Sequence, residues 1–265
     1  MQTQLLPVGE QVRHWRQRRR LSQLDLACEA EISTRHLSFI ETGRSAPSRE
    51  MILHLAESLD VPLRQRNHLL LAAGFAPAFQ ERSFDDPALR PARQAIEELL
   101  RAHEPYPALA VDRHWNLVAG NRAVAPLMTG AAAELLKPPI NVLRLSLHPD
   151  GLAPRIVNLP EWRDHLLFRL RRQFADTADP ILSDLIAELT AYPHGGARAA
   201  TRDLSAIGVP LQLRVERGVL SLLSATMTFG APLDPTLSEL ALETFLPADA
   251  ATAEALRGLT KRAEP

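Results

Sequence analysis

The chain has 265 residues, 46% of them apolar and 23% charged, and its 30 Lys and Arg against 31 Asp and Glu leave a formal charge of −1. That balance excludes a disordered chain and a basic nucleic-acid coat protein, so any nucleic-acid site must be local. The lone cysteine, Cys28, excludes an intrachain disulfide framework and a multi-cysteine metal site, and no apolar run suits a signal peptide or a membrane span.

Val8, Val12 and Trp15 recur at i, i+4 and i+7 and predict a first helix that ends near a run of Arg13, Arg16, Arg18, Arg19 and Arg20 with no acid in it. Such a run is a solvated face or a nucleic-acid contact. Ser22 and Asp25 form a capping box that opens a second helix, with Leu24, Leu26 and Ala27 as its apolar side and Cys28 read as a small packing residue. Ser33 caps a third helix, STRHLSFIE, which buries Leu37 and Ile40 and stops at Gly43. Pro47-Ser48 and Pro62 start a fourth and a fifth, with Ile52, Leu55, Ala56 and Leu59 and then Leu69 to Leu71 as apolar positions. Five helices predict an all-α domain over residues 1–78. Gly, Pro and acids in 74–91 break the periodicity and place a linker at 79–87.

Residues 88–265 change character. A helix over 88–103 precedes ALAVDRHWNLVAG, two apolar runs around a polar turn that predict a hairpin, and Asn121 is placed to cap a helix running to Met128. Trp162, Leu166, Phe168, Leu170 and Phe174 give a helix over 161–175 a broad apolar side, and another helix follows Pro180. From Val209 the period becomes two, Arg217-Gly218 turns the chain into VLSLLSATMTFG, and ELALETFL is a fifth strand. The order predicts an α+β domain with an antiparallel sheet.

Helices two and three, joined by Ala30-Glu31-Ile32, have helix-turn-helix spacing, in which the second helix enters the major groove of double-stranded DNA. Thr34, Arg35 and Ser38 lie opposite Leu37 and Ile40, on the face that would meet base edges, and Arg35 suits guanine O6 and N7. Gln23, Arg44 and Arg49 suit phosphates, with a free surface side chain as the alternative for each arginine. No Gly-rich phosphate loop, Gly-x-Ser-x-Gly elbow or His-Glu-x-x-His pair is present, and the scattered histidines lack ligand spacing. Binding without catalysis, cofactor or metal is the expectation. Leu143, Leu147, Trp162, Leu166, Leu223, Met227 and Phe229 either line a ligand cavity or fill a core.

SQLDLACEAEISTRHLSFIETGRSAPSREMILHLAESLDVP resembles the helix-turn-helix of the xenobiotic-response-element (XRE) family, with Gly9, Arg16, Ser22-Gln23, Leu26-Ala27, Ser33, Leu37, Glu41-x-Gly43 and Pro47 matching over 9–60. The resemblance implies an internal ion pair between Arg16 and Glu41, and base contact by Phe39 and His36, although an aromatic at 39 could equally pack in the core. LLLAAGFAP, VDRHWNLVAGN, SLHPDGL and TFGAPLDPTLSELALETFLPADAATA extend the likeness to MmyB-like regulators, which implies a PAS-like ligand-binding domain at the C-terminus. Together these predict a cytoplasmic one-component transcription regulator, with no membrane association. A homodimer would sit on a pseudo-palindromic operator, and an apolar small ligand, such as a fatty acid, would occupy the C-terminal domain. The alternatives are a DNA-binding scaffold with a filled C-terminal core that recognises a protein, and an enzyme that regulates its own gene.

Overall fold

The computed structural model describes residues 6–193, 208–216, 218–230 and 232–262; Arg217, expected in a turn, lies outside them. Two compact units emerge, one of residues 1–83 with 231–238 and the other of 84–230 with 239–265. Among the described residues no helix is long and apolar enough to cross a membrane.

The first unit opens with five helices, α1 (Val8–Arg18), α2 (Gln23–Glu29), α3 (Thr34–Glu41), α4 (Arg49–Ser58) and α5 (Leu63–Ala72). Ser22 Oγ accepts from Asp25 N at 3.1 Å while Ser22 N donates to Asp25 Oδ2 at 2.8 Å, so the capping box closes both ways. Ser33 and Ser48 cap α3 and α4 through His36 N and Met51 N. Each of the five helices ends the same way. The second residue past the cap donates to the carbonyl five positions back, as in Leu21 N to Arg16 O, Ile32 N to Ala27 O and Arg44 N to Phe39 O, with the residue before it left-handed. Gly43 and Gly74 hold that conformation in two cases, but Arg20, Glu31 and Asp60 hold it elsewhere, at roughly 1–2 kcal/mol each. Burial of Leu26, Leu37, Ile40, Ile52, Leu55 and Leu70 around one core offsets this cost. Leu24, expected on the apolar side of α2, is instead 61% exposed, because Leu26 and Ala27 occupy the buried face. Cys28 is exposed rather than packed, and Leu71 points outward while Leu69 and Leu70 are buried.

The second unit begins with α6 (Arg90–Ala102), followed by the hairpin strands β1 (Ala108–Val111) and β2 (Leu117–Gly120). Then come α7 (Val142–Leu147), α8 (Leu159–Thr177) and α9 (Pro180–Ala191), and the strands β3 (Leu211–Val215) and β4 (Gly218–Thr228). A short helical turn, α10 (Pro235–Ser238), precedes β5 (Ala241–Pro247) and the C-terminal α11 (Ala250–Arg262). The strands form one antiparallel sheet in the order β2-β1-β5-β4-β3, so the domain is α+β. Asn121 does not cap a helix. Its side chain accepts from Ala108 N and donates to Leu100 O and Tyr106 O, tying α6 to the hairpin, and only a single 3-10 turn over Ala125–Met128 follows.

Register decides which residues the sheet buries. Leu222 pairs with Pro247 and Thr226 with Glu243, so the even positions of β4 share the inner face with Glu243 and Phe245. Leu220 and Leu222 pack there with Leu166, Leu167 and Leu170 of α8 and Leu182, Leu185 and Leu189 of α9. On α8 this leaves Phe168 outside the buried set, half-exposed. On the other face Ile96 and Leu100 of α6 cover Ala108, Ala110 and Leu242.

Residues 231–238, between β4 and β5, belong to the first unit. Asp234, buried, accepts from Arg82 Nη1 at 2.9 Å, and its second oxygen accepts from Thr236 N at 2.8 Å to start α10. Thr236 Oγ1 donates to Arg82 O at 2.6 Å, and α10 packs against α5. The chain just beyond α5 is pinned by buried Asn67, which accepts from Ala78 N and Phe79 N and donates to Phe79 O.

Candidate nucleic-acid interface and apolar cavity

The turn between α2 and α3 is set by Glu31 in the left-handed region, φ 50°, and by the Ile32 N to Ala27 O bond. It fixes how α3 leaves α2. Residues of an α-helix advance about 100° each. With Leu37 and Ile40 buried, Arg35 therefore points away from the core, flanked by Ser38 and Phe39. Arg35 is exposed, whereas Thr34, His36, Ser38 and Phe39 are half-buried. The Arg35 guanidinium lies 5.3 Å from the centroid of the Phe39 ring. Arg44 is exposed beyond α3 and Arg49 opens α4.

Beneath α3, Arg16 Nε and Nη2 donate to the two Glu41 oxygens at 2.6 and 2.9 Å, and Nη1 donates to Leu21 O at 2.8 Å. Burial pushes the Glu41 carboxyl up, but hydrogen bonds from Arg16 and Gln23 and the charges of Arg16 and Arg13 outweigh it, and the group titrates below the ordinary range. The hydrogen bond to Glu41 raises Arg16 against the opposing effect of burial. Gln23, assigned to phosphate on sequence grounds, gives its amide to Glu41 Oε2 at 2.7 Å. One side-chain proton remains for another acceptor.

The second unit contains a partly open cavity of about 90 Å³. Leu143, Trp162 and Leu166 line it; Leu147 is buried in the adjoining core without reaching the wall. Leu223 and Met227 stand on the odd, outer face of β4, with Met227 43% exposed, and Phe229 packs with the cluster under α6. The wall contains residues that sequence reading did not select, among them Trp115, Leu211, Leu213, Arg169, Glu243 and Phe245. Leu211 and Leu213 carried the signal in their period-two alternation. Trp115 and Arg169 carried none.

Every polar side chain on this wall is turned onto another group. Arg169 donates to both Glu243 oxygens at 2.6 and 3.1 Å and to Thr226 Oγ1 at 2.9 Å, and it lies 4.9 Å over the Trp115 ring. Trp115, left-handed at φ 67° in the β1–β2 turn, gives its indole N–H to Gln173 Oε1 at 2.7 Å. Trp162 Nε1 donates to Ser146 Oγ at 3.0 Å. The surface left for a guest is hydrocarbon. Among the described residues, no group of three or more His, Cys, Asp or Glu side chains could hold a metal ion.

Residues 7–69 match a family model described as a helix-turn-helix domain, and residues 92–259 match the MmyB-like transcription regulator ligand binding domain. Comparison with curated proteins returned no match. The second match alone spans more than half of the chain. Helix-turn-helix and ligand-binding domain together make this a DNA-binding transcription regulator with a ligand-sensing domain, and the chain belongs to the MmyB-like transcription regulators.

Proposed function

We propose that the protein binds a pseudo-palindromic operator as a two-fold homodimer, and that an apolar, fatty-acid-like ligand in its PAS-like second unit changes its operator affinity. The observation that carries the ligand reading is the cavity of about 90 Å³ whose polar side chains are bonded to other protein groups. A cavity of roughly 150 Å³ with such walls stays dry and takes benzene. An acyl chain needs more room than about 90 Å³, so its entry would shift the wall residues, which is a way for a sensor to report occupancy. The sheet order with helices between its second and third strands supports the PAS-like reading. One small helical module makes few base and phosphate contacts, which supports a dimer.

Titrating an operator, selected from a randomised duplex pool, with lipid-stripped protein and with protein loaded with dodecanoic acid tests this. We expect affinities differing by about 5–150-fold at one salt concentration, the usual range of allosteric coupling. Leu166→Trp should fill the cavity and abolish both dodecanoate binding and the difference, at about 1–3 kcal/mol of stability. Equal titrations with and without dodecanoate would reject the sensing role.

Contacts on the DNA side divide by chemistry. Thr34, Arg35, His36, Ser38 and Phe39 are proposed to face bases, and Gln23, Arg44 and Arg49 to face phosphates. Arg44→Ala should weaken all duplexes alike and reduce the slope of log affinity against log salt by about 0.9 for each phosphate it no longer neutralises. A sequence-dependent loss would move Arg44 to the base-reading group.

A further inference from the structure

Arg35 and Phe39 are one helical turn apart on the outward face of α3, and the guanidinium sits 5.3 Å from the ring centroid. Arg35 makes no hydrogen bond or ion pair with a described residue. A guanidinium held over a ring by a cation–π contact leaves its N–H donors available for an acceptor in its own plane. The contact also favours one placement of the Arg35 side chain before DNA arrives, which lowers the cost of ordering it on a base.

The geometry points to Arg35 and Phe39 acting as one reading unit for a guanine with a thymine at the adjacent base pair, once in each half-site. This rests on the base-facing role proposed for α3. Guanine presents O6 and N7 in the major groove as a paired acceptor that matches the arginine fork. With the fork coplanar with guanine, a ring whose centroid is 5.3 Å from the guanidinium carbon falls within reach of the next base pair, about 3.4 Å along the duplex. There the apolar group available in the major groove is the thymine C5-methyl. Cytosine would put bare C5–H against the ring, and a purine in that position would put a polar N7 there. The pair thus specifies two neighbouring base pairs, with one hydrogen-bonded and one apolar contact. The aromatic ring serves both, as methyl contact and as platform for the arginine.

The test uses the full chain and the duplex it selects from a randomised pool. Within each half-site, thymines are replaced in turn by deoxyuridine, which pairs identically and lacks the methyl, and guanines by 7-deazaguanine, which lacks N7. One thymine beside one guanine should be sensitive. Deoxyuridine there should cost about fourfold per half-site, the worth of one methyl-sized group, and 7-deazaguanine should cost more. Arg35→Ala should abolish sensitivity to 7-deazaguanine. Phe39→Ala should abolish sensitivity to deoxyuridine and also weaken discrimination at the guanine. Phe39→Leu, which keeps apolar bulk and so guards against a folding defect in Phe39→Ala, should retain the deoxyuridine effect and lose part of the guanine discrimination. A selected half-site with no thymine beside the Arg35-dependent guanine, or wild-type affinity unchanged by deoxyuridine, would overturn the paired reading while leaving sequence-specific binding intact. Failure to enrich any sequence over bulk DNA would overturn both.

Discussion

Glu41→Ala is expected to cost the helical unit about 3–5 kcal/mol, the penalty for leaving one member of a buried ion pair alone. The Glu41 side chain is 1% exposed and takes three hydrogen bonds, two from Arg16 and one from Gln23. Removing it strands a guanidinium between α1 and α3. Replacing both partners at once, as in Arg16→Met with Glu41→Leu, should cost far less, because no uncompensated charge then remains. Hydrogen exchange of the α1 and α3 amides reads this unit separately from the other. A Glu41→Ala protein with parental protection there would show that the pair contributes nothing. The same carboxyl gives the unit a pH dependence. Its folded pKa lies below the unfolded value of about 4.3, so its contribution is complete above that value and is lost as the pH falls through the lowered folded pKa. Glu41→Gln should flatten this acid limb.

Gly9→Ala is expected to destabilise by about 3 kcal/mol, at the upper end of overpacking effects, although alanine is the better helix former by about 1 kcal/mol. A Cβ at Gly9 would sit 2.2 Å from Ile40 O and 3.0 Å from Glu41 O, both backbone atoms of α3. Neither can move without the helix. The close approach of α1 to α3 at Gly9 thus depends on a missing side chain, and opening it should tilt α3, the helix proposed to face bases, and weaken DNA binding along with stability. Denaturation followed at Trp15, with DNA titration alongside, checks both. A gain in stability would mean that helix propensity outweighs the clash.

The all-α unit was legible because its signals are local. Ser22, Ser33 and Ser48 announce helix starts, and Leu26, Leu37, Ile40, Ile52 and Leu55 mark buried faces at helical spacing. Helix ends were harder to read where Arg20, Glu31 and Asp60 take the conformation that glycine usually signals. The sheet was legible as strands but not as faces. In VLSLLSATMTFG both parities are apolar, Val219, Leu223, Ala225 and Met227 against Leu220 and Leu222, so period alone cannot choose the inner set. Pairing with Glu243 and Phe245 chooses it, and that depends on register with a strand still to come. Trp115 and Arg169 reach the cavity through a turn and a helix far apart in sequence, and the Arg82–Asp234 bond joins residues 152 positions apart. No window of sequence contains either relationship.

Because residues 231–238 are built into the first unit, the backbone passes between the units at 83/84, at 230/231 and at 238/239. A single nick near residue 83 would therefore sever the covalent path from the five helices to the sensor, yet leave those helices docked on α10, which the other fragment still carries. A gene fragment ending at residue 83 would encode every helix from α1 to α5 but neither Asp234, the partner of Arg82, nor the α10 turn that packs on α5. The sensor expressed from residue 84 onward would carry that turn with nothing to pack it against. Neither half is a portable cassette, and hybrid regulators made by exchanging N-terminal segments at the linker would need to exchange residues 231–238 as well.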